Sequence, residues 1–163
     1  MIALIDYKAG NLTSVRKAFG ALGAQLFTPE RADELASADA IVVPGVGHFA
    51  ATKTLGPEWI EAILARVGEG RPLLGICLGM QWLFEGSEEE PDLPGLGLLS
   101  GQCYRLPSNN VKIPHVGWNS LDMQRENTIV GDVADHSQVY FTHSFVAPVT
   151  GDTVAVTTHG EPF

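Results

Sequence analysis

Basic side chains are scarce in this sequence. Ten Lys and Arg stand against nineteen Asp and Glu, a formal net charge of -9 over 163 residues. A field of that sign repels phosphate backbones and anionic lipid, so it argues against nucleic acid and membrane surfaces as partners. Cysteine is scarcer still. Cys77 and Cys103 are too few for a disulfide framework and lack metal-ligand spacing, so both are expected as reduced thiols in a cytoplasmic protein without a metal site. A long apolar run is also missing. The longest, Pro72 to Phe84, is broken by Gly75, Gly79 and Gln81 and falls well short of the roughly 20 residues a membrane span needs. Met1 to Asp6 carries no basic segment and meets an acid at once, so it does not read as a signal peptide. No internal repeat or low-complexity tract is visible. What remains is a globular composition, long enough for one sizeable core and too short for two ordinary domains, so one domain over residues 1–163 is expected.

The apolar pattern predicts alternating short strands and helices. Ile2–Ile5 is a strand ending at Asp6; Asn11 caps a helix whose stripe is Leu12, Val15, Phe19 and Leu22, stopped by Gly23. Gln25–Phe27 is a second strand, Pro29–Ala36 a short helix and Ala40–Val43 a third strand closed by Pro44-Gly-Val-Gly47. Trp59, Ile60, Ile63 and Val67 mark another helix, closed by Gly68 and Gly70, and Leu73–Ile76 is a strand running into Cys77. The pattern predicts an α/β fold, an open, mostly parallel sheet with helices on both faces. Functional groups of such folds gather at the carboxyl ends of the strands, here Asp6, the Pro44–Gly47 turn and Cys77. Beyond the acidic loop Glu85–Asp92, candidate strands at Tyr104–Leu106, Val111–Ile113, Val139–Phe145 and Thr153–Thr157 read as antiparallel additions in the C-terminal half.

The chemistry concentrates at Leu73-Leu-Gly-Ile-Cys77-Leu-Gly-Met-Gln81, where a strand enters Gly-x-Cys-x-Gly and a helical stretch, Met80–Phe84, follows. This is a nucleophile-elbow layout, in which a sharp turn holds the reactive group above the sheet. The flanking glycines are required where backbone segments close on one another, and a helix N-terminus favours the attacking thiolate. On the residues alone, a small buried thiol in a glycine-rich turn fits the same pattern. Pro44-Gly-Val-Gly47 offers main-chain N–H groups that, with the amide of Leu78, suit an oxyanion hole; an ordinary strand-end loop is the competing account.

These segments resemble a family. Gly75-Ile-Cys77-Leu-Gly-Met-Gln81 is similar to the nucleophile motif of class I glutamine amidotransferases, which have a flavodoxin-like sheet. Asp6-Tyr-Lys-Ala-Gly10-Asn-Leu12, Pro44-Gly-Val-Gly-His-Phe49 and Pro114-His-Val-Gly-Trp-Asn119 are similar to the glutaminase subunits of imidazole glycerol phosphate synthases, and the likeness runs from Ile2 to Phe163. The resemblance implies attack of Cys77 on the side-chain amide of L-glutamine, release of ammonia and a glutamyl thioester cleaved by water. It implies an oxyanion hole at Val46, Gly47 and Leu78. Gln81 and Glu89 would bind the substrate's amino-acid end, and the backbone of His143, Ser144 and Phe145 its carboxylate. No cofactor is implied. Pro114, Trp118 and Asn119 would face a (β/α)8-barrel cyclase that receives the ammonia in histidine biosynthesis.

The family's His-Pro-Glu stretch, which supplies the base and its orienting acid, has no counterpart. None of His48, His115, His136, His143 and His159 is followed by x-Glu except in His159-Gly-Glu161, which reads as a turn. The catalytic His and Glu are therefore expected beyond Phe163, and the 163 residues alone are expected to be nearly inactive. Two alternatives stand beside this one: the glutaminase part of another amidotransferase, and a catalytically dead α/β glutamine-binding or regulatory module.

Overall fold

The computed structural model describes residues 1–108 and 111–163. Its centre is a parallel four-stranded sheet built from β1 (Ile2–Leu4), β2 (Leu26–Phe27), β3 (Ala40–Val43) and β4 (Leu73–Gly75), in the order β2-β1-β3-β4. Helix α1 (Leu12–Ala21) connects β1 to β2, and α2 (Pro57–Gly68) connects β3 to β4. The two crossovers run outward in opposite directions from the β1–β3 pair. Right-handed connections then place α1 and α2 on opposite faces and open a crevice at the carboxyl ends of β1 and β3.

Local chemistry accounts for the boundaries. The Asn11 side chain accepts the Ser14 amide at 3.1 Å and so caps α1. Gly23, at φ 73°, turns the chain out of it. Pro57 occupies the first turn of α2, where a missing N–H costs nothing, and Gly70 at φ 79° follows its end. Alternation along the strands sends Ala3, Ile5, Ile41 and Val43 into the main core with Leu35, Phe49, Ile63, Leu78 and Trp82. Leu4 and Val42, facing the other way, are buried as well.

Several expectations need correction. Pro29–Ala36 is not an α-helix; a 3-10 helix spans Ala32–Ser37 and packs against α2. Leu22 is not part of the half-buried stripe of α1 but an exposed capping residue. The helix after Cys77 begins earlier than Met80: α3 is Leu78–Gln81, continued by single turns to Phe84. Val111–Ile113 is no strand, because Pro114 lacks the ladder donor and pairing starts only at His115.

The C-terminal half forms small sheets rather than extensions of the parallel one. In it lie β5 (Gly86–Ser87), β6 (Gln102–Arg105), β7 (His115–Ser120), β8 (Asp122–Met123), β9 (Gln138–His143) and β10 (Phe145–Val146). They are followed by β11 (Ala155–Val156), β12 (Thr158–His159) and β13 (Glu161–Pro162). β7 and β9 pair antiparallel along their whole length. β6 is flanked by antiparallel β10 and parallel β5, the latter a strand inside what reads as an acidic loop. Thr153–Thr157 shrinks to β11 on β8, and His159 sits in the hairpin β12–β13, turned by Gly160 at φ 79°. Among the described residues no helix is long and apolar enough to cross a membrane.

Candidate active site

The segments after β1, β3 and β4 meet at one edge of the sheet, as their sequence positions require. Cys77 holds φ 56° and ψ -111°, a left-handed backbone that an L-residue adopts only under constraint. The constraint is visible on both sides. The Ile76 amide donates to the Val43 carbonyl at 2.9 Å, and the Gln81 amide to the Cys77 carbonyl at 3.0 Å. A Cβ on Gly75 would stand 2.6 Å from the Gly79 carbonyl oxygen and the Met80 backbone, and one on Gly79 would collide with the Val43 carbonyl. The turn thus needs glycine at both positions, and it leaves the Cys77 thiol free and exposed. Cys103 differs: it is buried, it points at the Gln81 carbonyl at 3.8 Å, and burial pushes its thiol up to about 12.

Cys77 opens onto a cavity of about 520 Å³ whose walls include Met80, Gln81, Tyr140, His143, Phe145 and Phe163. The Gln81 side-chain oxygen is buried and accepts no hydrogen bond, leaving a free acceptor beside Cys77. Of the other residues singled out in the sequence, His143 and Phe145 line the cavity, whereas Ser144 and Glu89 do not. The Glu89 carboxylate instead accepts the Phe49 amide at 2.7 Å, which fixes it two residues from Gly47. Its neighbours are tied elsewhere: Glu88 accepts the Arg105 amide, and Glu90 pairs with Lys53. Position therefore separates Glu89 from the other acids of the loop.

The segment that the resemblance implies as an oxyanion hole is closed in this conformation. The Leu78 amide donates to the Gly45 carbonyl at 3.3 Å, and the Val46 amide donates to the Ala9 carbonyl at 2.7 Å. Gly47, at φ 99°, supplies the left-handed turn that follows. Neither the Val46 nor the Leu78 amide is free for a ligand in this conformation; turning over the Gly45–Val46 peptide would free both.

The motif Pro114–Asn119 divides by side. Pro114 and Trp118 are exposed, Trp118 to 69%, whereas the Asn119 side chain turns inward and donates to the Thr158 carbonyl at 3.0 Å. Val116 and Tyr140, each 56% exposed, join Trp118 on the outer face, with Tyr140 edge-on to the indole. Alternation in β9 could have found Tyr140, since Val139, Phe141 and His143 take the inner side.

Inward-facing residues form a histidine chain that motif reading missed. His143 Nδ1 lies 3.1 Å from the Phe145 carbonyl, His143 Nε2 lies 2.9 Å from His115 Nδ1, and His115 Nε2 lies 3.4 Å from the Asn119 amide nitrogen. One set of neutral tautomers satisfies every contact: His143 Nδ1–H donates to Phe145 and His115 Nδ1–H donates to His143. This assignment follows from the network. His159 stacks on His115 at 4.0 Å. Burial lowers the pKa of both His115 and His143, and the neighbouring imidazoles add to it. A lowered folded value means the unfolded chain binds the proton first. The stability from this chain is therefore whole above the ordinary histidine value of about 6.5 and is lost as pH falls below it toward the folded values. The melting temperature should drop between pH 7.5 and 5.5, and His115→Asn should flatten that drop; an equal drop in both proteins would refute it.

A family model described as glutamine amidotransferase class-I matches residues 3–161, and the chain belongs to that family. Within it, the chain is 42% identical over 163 residues to imidazole glycerol phosphate synthase subunit HisH of Lactococcus lactis, covering 98% of this chain and 80% of that protein. It is 45% identical to the subunit of the same name from Bacillus subtilis, covering 89% of this chain and 71% of that one. Among solved structures, a glutamine amidotransferase superposes with a TM-score of 0.73 at 18% identity, covering 99% of this chain and 86% of the other. PurLQS from Thermotoga maritima superposes with a TM-score of 0.62 at 19% identity, covering 97% and 74%. These two likenesses concern the fold alone.

Proposed function

We infer that the chain is the glutaminase subunit of an imidazole glycerol phosphate synthase, hydrolysing glutamine to glutamate and ammonia for histidine biosynthesis. The observation that carries this is the strained, exposed Cys77 at the sheet edge, opening on a cavity with the free Gln81 oxygen beside it. Cys77 Sγ, as thiolate, forms a bond to the amide carbon of glutamine, and the carbonyl becomes an oxyanion. Collapse of that intermediate breaks the C–N bond and expels ammonia, which takes a proton on leaving. Water then adds to the thioester and displaces the sulfur, giving glutamate.

The residues take roles that fit their places. The Gln81 oxygen accepts from the substrate ammonium, and Glu89, held at the Phe49 amide, supplies the negative charge nearby. The backbone of His143 to Phe145 holds the substrate carboxylate. Val46, Gly47 and Leu78 hold the oxyanion once the Gly45–Val46 peptide has turned over. His143 is not the base, because both of its ring nitrogens are engaged; the proton transfers are assigned to the family's His and Glu.

The exposed face of Val116, Trp118 and Tyr140 fits a (β/α)8-barrel cyclase as partner. Large aromatics at the centre of an interface carry much of its binding energy. Trp118→Ala should weaken cyclase binding by about 2 kcal/mol, some thirtyfold in Kd, with no change in melting temperature; unchanged affinity would remove this face from the interface. Two free thiols are in keeping with a cytoplasmic location. The test of the whole proposal is glutamate release that depends on Cys77 and is stimulated by the cyclase. Release that neither requires Cys77 nor responds to the cyclase would end it.

A further inference from the structure

Tyr7 follows Asp6 at the carboxyl end of β1, between the oxyanion segment and the elbow. Its side chain is 3% exposed, and its hydroxyl is buried without a hydrogen-bond partner. Phenylalanine would fill the same space without stranding a donor, so the hydroxyl calls for a use. It lies against the backbone of Gly45: a Cβ there would run into it, with the Leu78 Cβ at 2.8 Å and the Gly79 amide nitrogen at 3.1 Å closing the other side. Burial raises the phenol's pKa and the closeness of Cys77 adds to this, so the group remains a protonated donor.

Turning the Gly45–Val46 peptide over would leave two acceptors without a partner, the Ala9 and Gly45 carbonyls, and it is Gly45 that the Tyr7 hydroxyl lies against. In the closed conformation it takes the Leu78 amide, while the Val46 amide takes the Ala9 carbonyl. Aiming the Val46 N–H at the Cys77 side breaks both bonds. Leu78 N–H is then free for the oxyanion, and the Gly45 carbonyl needs a new donor. The Tyr7 hydroxyl is the unpartnered donor beside it.

We propose that Tyr7 is a positioning residue whose hydroxyl donates to the Gly45 carbonyl in the open conformation and so sets how readily the oxyanion site forms. The proposal rests on the roles given above to Cys77, Val46 and Leu78. Substitution at Gly45 does not test it, since any side chain there meets Tyr7 and Leu78. Tyr7→Phe does, because it removes one oxygen and keeps the ring.

The readout compares two electrophiles at Cys77 in the 163-residue chain. A chloroketone analogue of glutamine is attacked at its carbonyl carbon, giving an oxyanion. The sulfur then moves to the adjacent carbon, the carbonyl re-forms and chloride leaves with the C–Cl electron pair. Iodoacetamide reacts by direct displacement of iodide and forms no oxyanion. Tyr7→Phe should slow the chloroketone about tenfold, the scale of one hydrogen bond, and leave the iodoacetamide rate and its pH profile unchanged. The melting temperature should hold or rise, since a stranded donor is gone. Equal slowing of both reagents, or a shifted iodoacetamide profile, would place the hydroxyl on the sulfur or on packing instead and overturn the proposal. No slowing of either would overturn it too. If glutamine fails to protect wild-type Cys77 from the chloroketone, the substrate site itself is wrong, and that failure is told apart by the protection arm alone.

Discussion

Cys77→Ala should lower glutamate release from glutamine by about three orders of magnitude or more, because the thioester forms on its sulfur. The assay belongs in the subunit carrying the family's His and Glu, in complex with the cyclase, where the proton transfers are complete. Covalent labelling extends it to the 163 residues alone. Cys77 is exposed, whereas Cys103 is buried with its thiol pushed up to about 12, so a glutamine-like electrophile should add once, at Cys77. Labelling that survives Cys77→Ala, or glutamate release that does, would mean the elbow is not the reacting centre.

Gly79→Ala should be the most damaging small change in the protein. The added Cβ would occupy the place of the Val43 carbonyl oxygen, and main chain cannot swing aside as a side chain can. The end of β3 and the start of α3 would have to separate, pulling Leu78 and Trp82 from the core cluster they share with Val43. Overpacking of this kind costs about 3 kcal/mol, or roughly 6–12 °C of melting temperature for a chain of this size. Gly20→Ala is the control: nothing lies within 4 Å of its Cβ, and a glycine in the last turn of α1 gives up no more than about 1 kcal/mol to alanine. That variant should be as stable as the parent or more so. Comparable losses in the two variants would show a general intolerance of change at glycine rather than a collision.

The parts of the fold that could be read in advance were those where the residue type leaves one option. Ala40–Val43 is an apolar run between Asp39 and Pro44, and it forms the strand β3 residue for residue. Asn11 caps where its carbonyl can reach Ser14, and Gly75 and Gly79 flank Cys77 because their neighbours leave no room for a side chain. What failed was set by distant partners. Val111–Ile113 has strand-like residues, but the ladder that recruits β9 begins after Pro114. Asn119 belongs to a motif that reads as outward-facing, yet Thr158 and His115 draw its side chain inward. In the site, Pro44-Gly-Val-Gly47 marks the candidate oxyanion segment, but a glycine-rich turn permits either orientation of the Gly45–Val46 peptide. Its hydrogen bonds to Ala9 and Leu78 had to be seen. Tyr7 lies in the Asp6–Leu12 segment of the family resemblance, but the resemblance gives it no role; its meaning comes from the space its hydroxyl occupies.

One junction links the exposed aromatic face to the cavity at Cys77. Residues 138–143 belong to the ribbon with β7, whose outer face carries Trp118 and Tyr140, while residues 145 and 146 belong to β6. Ser144 lies in neither ladder, and its carbonyl is fastened to the Leu106 amide at 2.9 Å. Ser144 thus marks the bend between the ribbon and β6, with His143 and Phe145 on either side of it forming part of the wall around Cys77. The exposed aromatic face and the wall of the Cys77 cavity are therefore carried by one continuous stretch of chain.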